Sequence, residues 1–430
     1  MKAIIHIGTP KTGTSAIQNF LAMNRENLKT NGIFIPTTDH LAGCHVELGQ
    51  ATFIPTLLGA SALWINPFFK EGYTIADQNN IWKKYRDEIE TNCNKDDLVI
   101  FSYEALTGFV EQEIVRVNEL MKTLFDDIIV VLYLRRQPEC LISHYGSGIY
   151  NGAVPQENFF DQLNQSSFFI CFFVYHKIVE RWSIFGKDKL KIRIFDKREF
   201  HENDLLSDFA HTVGFDMTGL ERGKNENVSL DSAETEYLRF LNTHIPAYLD
   251  SWTVNPDRRL INGFFWQTKE GRSKYEKPYH LNRNEAQQIL DQYREGNDWI
   301  AREYLGREKL FDDDVSMYPE VVDSPHQLTL ERSVEISAQL LKFHAAEIQR
   351  QQGVIEGQQG EIQNLRQEKD ADVAEIQRLL LQNKILIYWH YYRCKVLAKL
   401  TFGKPRKHYK EKRDAFHEKV RQIRNLQKHK

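Results

Sequence analysis

Lys2-Ala3-Ile4-Ile5-His6-Ile7-Gly8-Thr9-Pro10-Lys11-Thr12-Gly13-Thr14-Ser15 opens the chain, and its reading decides the fold. The apolar run Lys2–Ile7 predicts a buried β-strand. Two glycines five residues apart then mark a tight loop. Beyond them Ser15–Leu28 predicts a helix, with Ile17, Phe20, Leu21 and Leu28 on one face. A strand that turns through a glycine-rich loop into a helix suits an anion, because glycine admits close backbone approach and the helix N-terminus offers N–H groups without helical partners.

Outward from this stretch the same alternation recurs. Leu98–Ser102, Ile128–Leu134 and Leu190–Phe195 are further strand-like runs separated by amphipathic segments. Strands alternating with helices predict an α/β fold, a parallel sheet covered on both faces. At 430 residues, 41% hydrophobic and 27% charged, the chain is long enough for a sizeable core. Its five cysteines (Cys44, Cys93, Cys140, Cys171, Cys394) are scattered, which argues against a disulfide framework or a structural zinc site. Apolar runs reach only about eight residues where a spanning helix needs roughly 20. Only Met1 and Lys2 precede the first apolar run, so no signal peptide is expected and the protein is read as cytoplasmic.

The pattern divides the chain into three: residues 1–325, 331–383 and 385–430. The middle segment is rich in Gln and Glu. Leu341, Ile348, Ile355, Ile362 and Ile376 fall on one seven-residue register, with a poorer companion seam of His344, Gln351, Gln358, Leu365 and Leu379. This predicts a coiled coil and a homo-oligomer. Gly353, Gly357 and Gly360 each cost up to ~1 kcal/mol in a helix, which makes its first half the weaker part. The last segment has 14 Lys+Arg against 3 Asp+Glu, so the rest of the chain carries the balancing acidity behind a total of −3. Ile385, Trp389, Tyr392, Val396 and Leu400 share a helical face flanked by Arg393 and Lys395. Aromatics and basic residues on a short amphipathic helix suit the inner face of an anionic membrane, peripherally, or a packing surface on a partner subunit. Nucleic acid is not an expected partner, because no matching basic patch appears in the body.

The glycine loop departs from the nucleotide-triphosphatase form GxxxxGK[ST]. Thr14 stands where that lysine would be, and Lys11 lies inside the loop. Pro10-Lys11-Thr12-Gly13-Thr14-Ser15 resembles the 5′-phosphosulfate-binding loop of the sulfotransferase superfamily, which uses 3′-phosphoadenosine 5′-phosphosulfate (PAPS). A second likeness is an arginine at a strand end followed eight residues later by a serine. Here Ile128–Leu134 leads into Arg135-Arg136-Gln137, and then Ser143. The Arg-Arg-Gln doublet with Ser143-His144-Tyr145 is similar to a bacterial carbohydrate-directed branch. Weaker echoes run through Trp182…Phe185-Gly186, Ile192–Asp196, Asn227–Leu230 and Asn297…Gly306, so the likeness covers roughly residues 1–312. Arg222-Gly223-Lys224 is only a loose counterpart of the Arg-Lys-Gly segment of cytosolic members.

The resemblance implies a P-loop NTPase-like topology, with PAPS as co-substrate held by Pro10, Lys11, Thr12, Gly13, Thr14, Ser15, Arg135 and Ser143. It also implies sulfonate transfer to a hydroxyl or amine, for which a surface glycan or glycolipid precursor is the expected acceptor. Sulfuryl transfer needs the sulfonate held in line and the leaving bisphosphate stabilised, which a loop lysine and backbone N–H groups can do without a metal. It also needs a proton acceptor. His45 and Glu104 are both candidates by analogy of position: a catalytic histidine follows the corresponding strand in cytosolic members, and an early Glu or His serves in glycosaminoglycan members. A nucleotide-dependent kinase and a membrane-associated scaffold with a degenerate domain are the alternatives. The displaced lysine counts against the first, and intact Lys11, Arg135 and Ser143 against the second.

Overall fold

The computed structural model describes residues 1–37, 44–53, 74–153, 172–223, 229–249, 255–268, 281–321 and 328–368 (backbone alone for 360–368), with 391–397, 407–408, 410–415, 417–418 and 421 of the tail. Two compact units divide the chain. The first comprises Met1–Ser147, Pro155–Ser229 and Tyr279–Pro325; the second Gly148–Val154, Leu230–Pro278 and His326–Lys430.

The first unit is built on a five-stranded parallel sheet. Its strands are β1 (Lys2–His6), β2 (Ile33–Phe34), β3 (Leu98–Ser102), β4 (Asp127–Leu134) and β5 (Leu190–Ile194), in the order β2-β3-β1-β4-β5. The expected α/β architecture is therefore present, and the four longer strands fall within a residue of their expected positions. The two-residue β2 is too short to announce itself by alternation. Side chains alternate between two cores, as the pleat requires. Ala3, Ile5, Val99, Phe101, Val130 and Leu132 face one; Ile4, Ile100, Val131 and Tyr133 face the other.

Helices cover both faces. On the second face lie α1 (Thr14–Met23) and α2 (Arg25–Thr30), which bury Ile17, Phe20, Leu21 and Leu28. The single helix expected over this stretch breaks at Asn24. That side chain is drawn into reciprocal hydrogen bonds with the backbone of Glu221, donating to its carbonyl at 2.8 Å and accepting from its N–H at 2.7 Å. The first face is covered by α4 (Ile75–Asn92), α5 (Glu111–Lys122) and α7 (Tyr175–Trp182), while α3 (Val46–Thr52) and α6 (Gln137–Tyr150) begin beside the carboxyl ends of β3 and β4. On the opposite face α8 (Leu205–Val213) contributes Phe209 and Val213. Removing a wholly buried strand side chain such as Ile4 or Ile5 would cost ~2–5 kcal/mol.

The second unit contains α9 (Ser232–His244), α10 (Pro256–Gln267) and the long α12 (Leu330–Glu368); α11 (Arg283–Ile300) belongs to the first. A buried Arg258 donates to the Ile149 and Tyr150 carbonyls and to Asn242. Burial pulls its guanidinium down to about 10. The start of α12 packs on α9 and α10. Ile336 is buried, Phe343 meets Phe264 edge-on at 5.7 Å, and Ser337 hydrogen bonds Tyr237 at 2.9 Å. The start of α12 thus shares a unit with α9 and α10. Where a coiled coil is expected at 331–383, the structure has a single helix as far as residue 368; positions 369–383 lie outside the described residues. On the seven-residue register Leu341 is 62% exposed, while Ile348 and Ile355 are half-buried. In the tail, residues 391–397 are helical with Cys394 buried, and the Tyr391 ring lies 5.4 Å from that of His417. Ile385, Trp389 and Leu400 of the predicted tail stripe lie outside the described residues. No helix among the described residues is long and apolar enough to cross a membrane.

Candidate functional site at the carboxyl end of the central strand

The topology selects the site. β1 is central, and the chain passes to β2 and β3 on one side of it and to β4 and β5 on the other. Ligands in open parallel sheets bind where the strand order reverses, beyond the carboxyl ends. That place is the end of β1, between the ends of β3 and β4.

The β1 ladder continues into the loop. Ile7 N–H and Thr9 N–H donate to the Val131 and Tyr133 carbonyls, and Tyr133 N–H donates to Gly8. Thr12 Oγ1 closes the loop onto the Thr9 carbonyl at 2.5 Å. Gly13 caps α1 at φ 76°, where a Cβ would stand 2.3 Å from Leu205 Cδ2. At Gly8, φ 89°, a Cβ would stand 2.9 Å from Glu104 Cβ. Both positions require glycine. Lys11 adopts φ 69° with a side chain, a conformation that costs a non-glycine residue roughly 1–2 kcal/mol. Such strain is typical of functional loops.

Lys11 Nζ donates to Ser147 Oγ at 2.5 Å. Burial pushes the Lys11 ammonium below its ordinary value and Arg135 adds to this, while Cys140 and Glu104 act in the opposite direction. Arg135 donates to the Lys11 carbonyl at 3.1 Å, and its guanidinium lies 5.4 Å from the Phe195 ring centre. Two cations therefore converge on the loop. Arg136, its neighbour, is employed elsewhere: it pairs with Glu139 at 2.7 Å and donates to the Asp312 and Asp314 carbonyls.

Ser143 sits half-buried on α6. Sequence spacing missed Ser147, one turn further along. Cys140, His144 and Ser147 occupy one face of α6 at the i, i+4, i+7 spacing. Cys140 Sγ lies 3.8 Å from the Pro10 carbonyl, His144 hydrogen bonds the Pro10 backbone, and Ser147 meets Lys11. That periodicity was the available signal. Thr14 is buried and Ser15 exposed at the start of α1.

The two proton-acceptor candidates flank the end of β3. Glu104 opens a short 3₁₀ turn, half-buried, and accepts from Gln18 Nε2 at 2.9 Å. His45 precedes α3 with no exposed surface, and its Nδ1 accepts the Ser102 N–H at 3.0 Å. Burial pulls its imidazole down to about 4. His6 is likewise sealed, its Nδ1 2.8 Å from Ser102 Oγ, and burial pulls it to about 3. Among the described residues no group of three or more His, Cys, Asp or Glu side chains is placed to hold a metal.

No family model matches the chain. An uncharacterized protein of Archaeoglobus fulgidus is 27% identical over 253 residues, which are 55% of this chain and 62% of that protein, so the chain spans less than two thirds of that relative's length. Among solved structures, a sulfotransferase from Alicyclobacillus acidocaldarius is similar at 15% identity with a TM-score of 0.36, covering 56% of this chain and 92% of that one.

Proposed function

We propose that the chain is a PAPS-dependent sulfotransferase. The observation that carries this reading is the place of Lys11: inside the loop, at positive φ, with its ammonium turned toward α6. The position a triphosphatase gives its lysine is filled by the buried Thr14. PAPS would supply a sulfonate on an adenosine bisphosphate leaving group. Lys11 and the first N–H groups of α1 would hold the phosphosulfate by fixed positive charge. Arg135 and Ser143 would hold the 3′-phosphate, and Ser147 keeps Lys11 aimed across the loop.

Of the two proton acceptors, the geometry favours Glu104. Its Cα and Cβ lie against Gly8 of the loop, and its charge acts on Lys11. His45 has its Nδ1 lone pair engaged by a backbone N–H, which leaves its proton on Nε2, so it serves better as a support for β3. The reading also takes a glycan or glycolipid acceptor near an anionic membrane surface, on the strength of the basic tail, and a homo-oligomer through α12. Calorimetry with PAPS and with adenosine 3′,5′-bisphosphate tests the assignment. Saturable binding that Lys11→Ala removes is expected. Tighter binding of ATP than of either ligand would replace the reading with a kinase. Co-sedimentation with anionic and neutral vesicles at two salt concentrations tests the tail: binding should be selective for anionic vesicles, weaken with salt, and be lost on truncation after Asn383.

A further inference from the structure

We infer that Gln18 is the positioning residue for the Glu104 carboxylate, fixed in that role by Ser102 and His6. The inference rests on Glu104 as the proton acceptor of the proposed transfer. Gln18 lies on α1, one turn after Thr14, and is buried. Its Nε2 donates to Glu104 Oε2 at 2.9 Å and to Ser102 Oγ at 3.3 Å, so both amide hydrogens have acceptors. Turning the amide over would set its carbonyl oxygen against the carboxylate, so the charge of Glu104 itself selects this orientation.

Ser102 Oγ, accepting from Gln18, also shares a hydrogen bond with His6 Nδ1 at 2.8 Å. His6 and Ser102 are register partners across β1 and β3. The imidazole is held between Tyr133 and Phe209, ring centres at 5.9 and 5.4 Å. Burial keeps it neutral. The Ser102 backbone is in turn clamped by His45, which accepts its N–H and donates to its carbonyl. The chain His6–Ser102–Gln18–Glu104 thus runs from the buried end of β1 to the Glu104 carboxylate. A donor on a carboxylate oxygen favours the ionised form that can take a proton.

The test follows the side-chain carboxyl signal of Glu104 in ¹³C-labelled full-length protein, assigned by its loss in Glu104→Gln. In Gln18→Leu, which removes both N–H donors, the signal should titrate at higher pH than in the parent. In Gln18→Glu it should move further up, because two carboxylates at hydrogen-bond distance compete for one proton. Ser102→Ala, a smaller change, should move it in the same direction by less, and stands in if Gln18→Leu does not fold. Superimposable titration curves for parent and variants would overturn the inference. Adenosine 3′,5′-bisphosphate binding by the parent is measured beside it. If the parent fails to bind, the transfer reading falls while the titration still reports on Gln18 and Glu104.

Discussion

The loop after β1 and the long helix α12 both contain glycines, used in opposite ways. In the loop, Gly8 and Gly13 sit at positive φ with neighbours closer than any Cβ tolerates, and Lys11 holds a similar backbone conformation without being glycine. In α12, Gly353 and Gly357 have room for a side chain. The loop's shape is dictated from outside, by β4, Glu104 and Leu205 pressing on it. The shape of α12 follows from its own hydrogen-bond ladder, which tolerates glycine at a cost. A region specified by tertiary contacts should break sharply when altered, and a region specified by propensity should respond gently.

The largest effect should come from acid. His6 and His45 have no exposed surface, His144 has 8%, and all three adjoin the loop or its supports. Burial is the main cause that pulls them to about 3, 4 and 3 from an ordinary 6.5. The unfolded chain therefore binds protons that the folded chain refuses. The sign is fixed: there is no penalty above pH 6.5, and stability is lost as pH falls from there toward the folded values. Three such groups amount to a slope of ~4 kcal/mol per pH unit and, by pH 5, a loss on the order of 6 kcal/mol. Urea unfolding at pH 7 and pH 5 measures it. Equal stability at the two pH values would mean the histidines are not held neutral.

Lys11→Ala should come next. Removing a charge aimed at the reacting group typically costs 10²–10³-fold, ~3–4 kcal/mol of transition-state stabilisation. The unfolding midpoint should stay close to the parent's, since alanine meets the same positive φ. Retained transfer in a folded variant would remove the loop assignment.

On the proposed function, the arginine doublet should divide stability from binding within two adjacent residues. Arg135→Ala should weaken adenosine 3′,5′-bisphosphate by tenfold or more, because a charge-assisted hydrogen bond contributes ~1.5–3 kcal/mol. Adenosine 5′-phosphosulfate, lacking the 3′-phosphate, should bind about as before. Arg136→Ala should leave both affinities alone and lower stability by ~1–3 kcal/mol, since its Glu139 pair and its carbonyl contacts at Asp312 and Asp314 are lost. Equal losses of both ligands in Arg135→Ala would mean it does not read the 3′-phosphate.

How much of this was legible in the sequence follows the same division. The strands, the glycine loop and the Arg135 position could be read because each is a local pattern: apolar runs, glycine spacing, a charge at a strand end. The separate employment of Arg135 and Arg136 could not, because their partners lie 124 and 176 positions away. Nor could the convergence of Gln18, Ser102 and His6 on Glu104. It depends on the register of β1 against β3, which no single segment encodes. In α12 the heptads predicted the helix but not that its first turns would pack on α9 and α10, because Phe264 and Phe343 reveal their pairing only in the fold.

The smallest effect should be a gain. Gly353 and Gly357 lie in the interior of α12, exposed, and a Cβ at either meets nothing within 4 Å. Alanine should stabilise each by ~0.5–1 kcal/mol, through a less flexible unfolded chain and better helix propensity. Gly13→Ala should do the reverse, since its Cβ would overlap Leu205. Urea unfolding of the three variants at two protein concentrations completes the comparison. A loss of stability in Gly357→Ala would mean that a surface closes on the helix at that point, and the concentration dependence would identify it. If the loss deepens on concentration, the occupant is the α12 of a second copy, packed closely enough to need glycine. If the gain appears at both concentrations, the helix is free there, and any pairing must run along the Leu341 register.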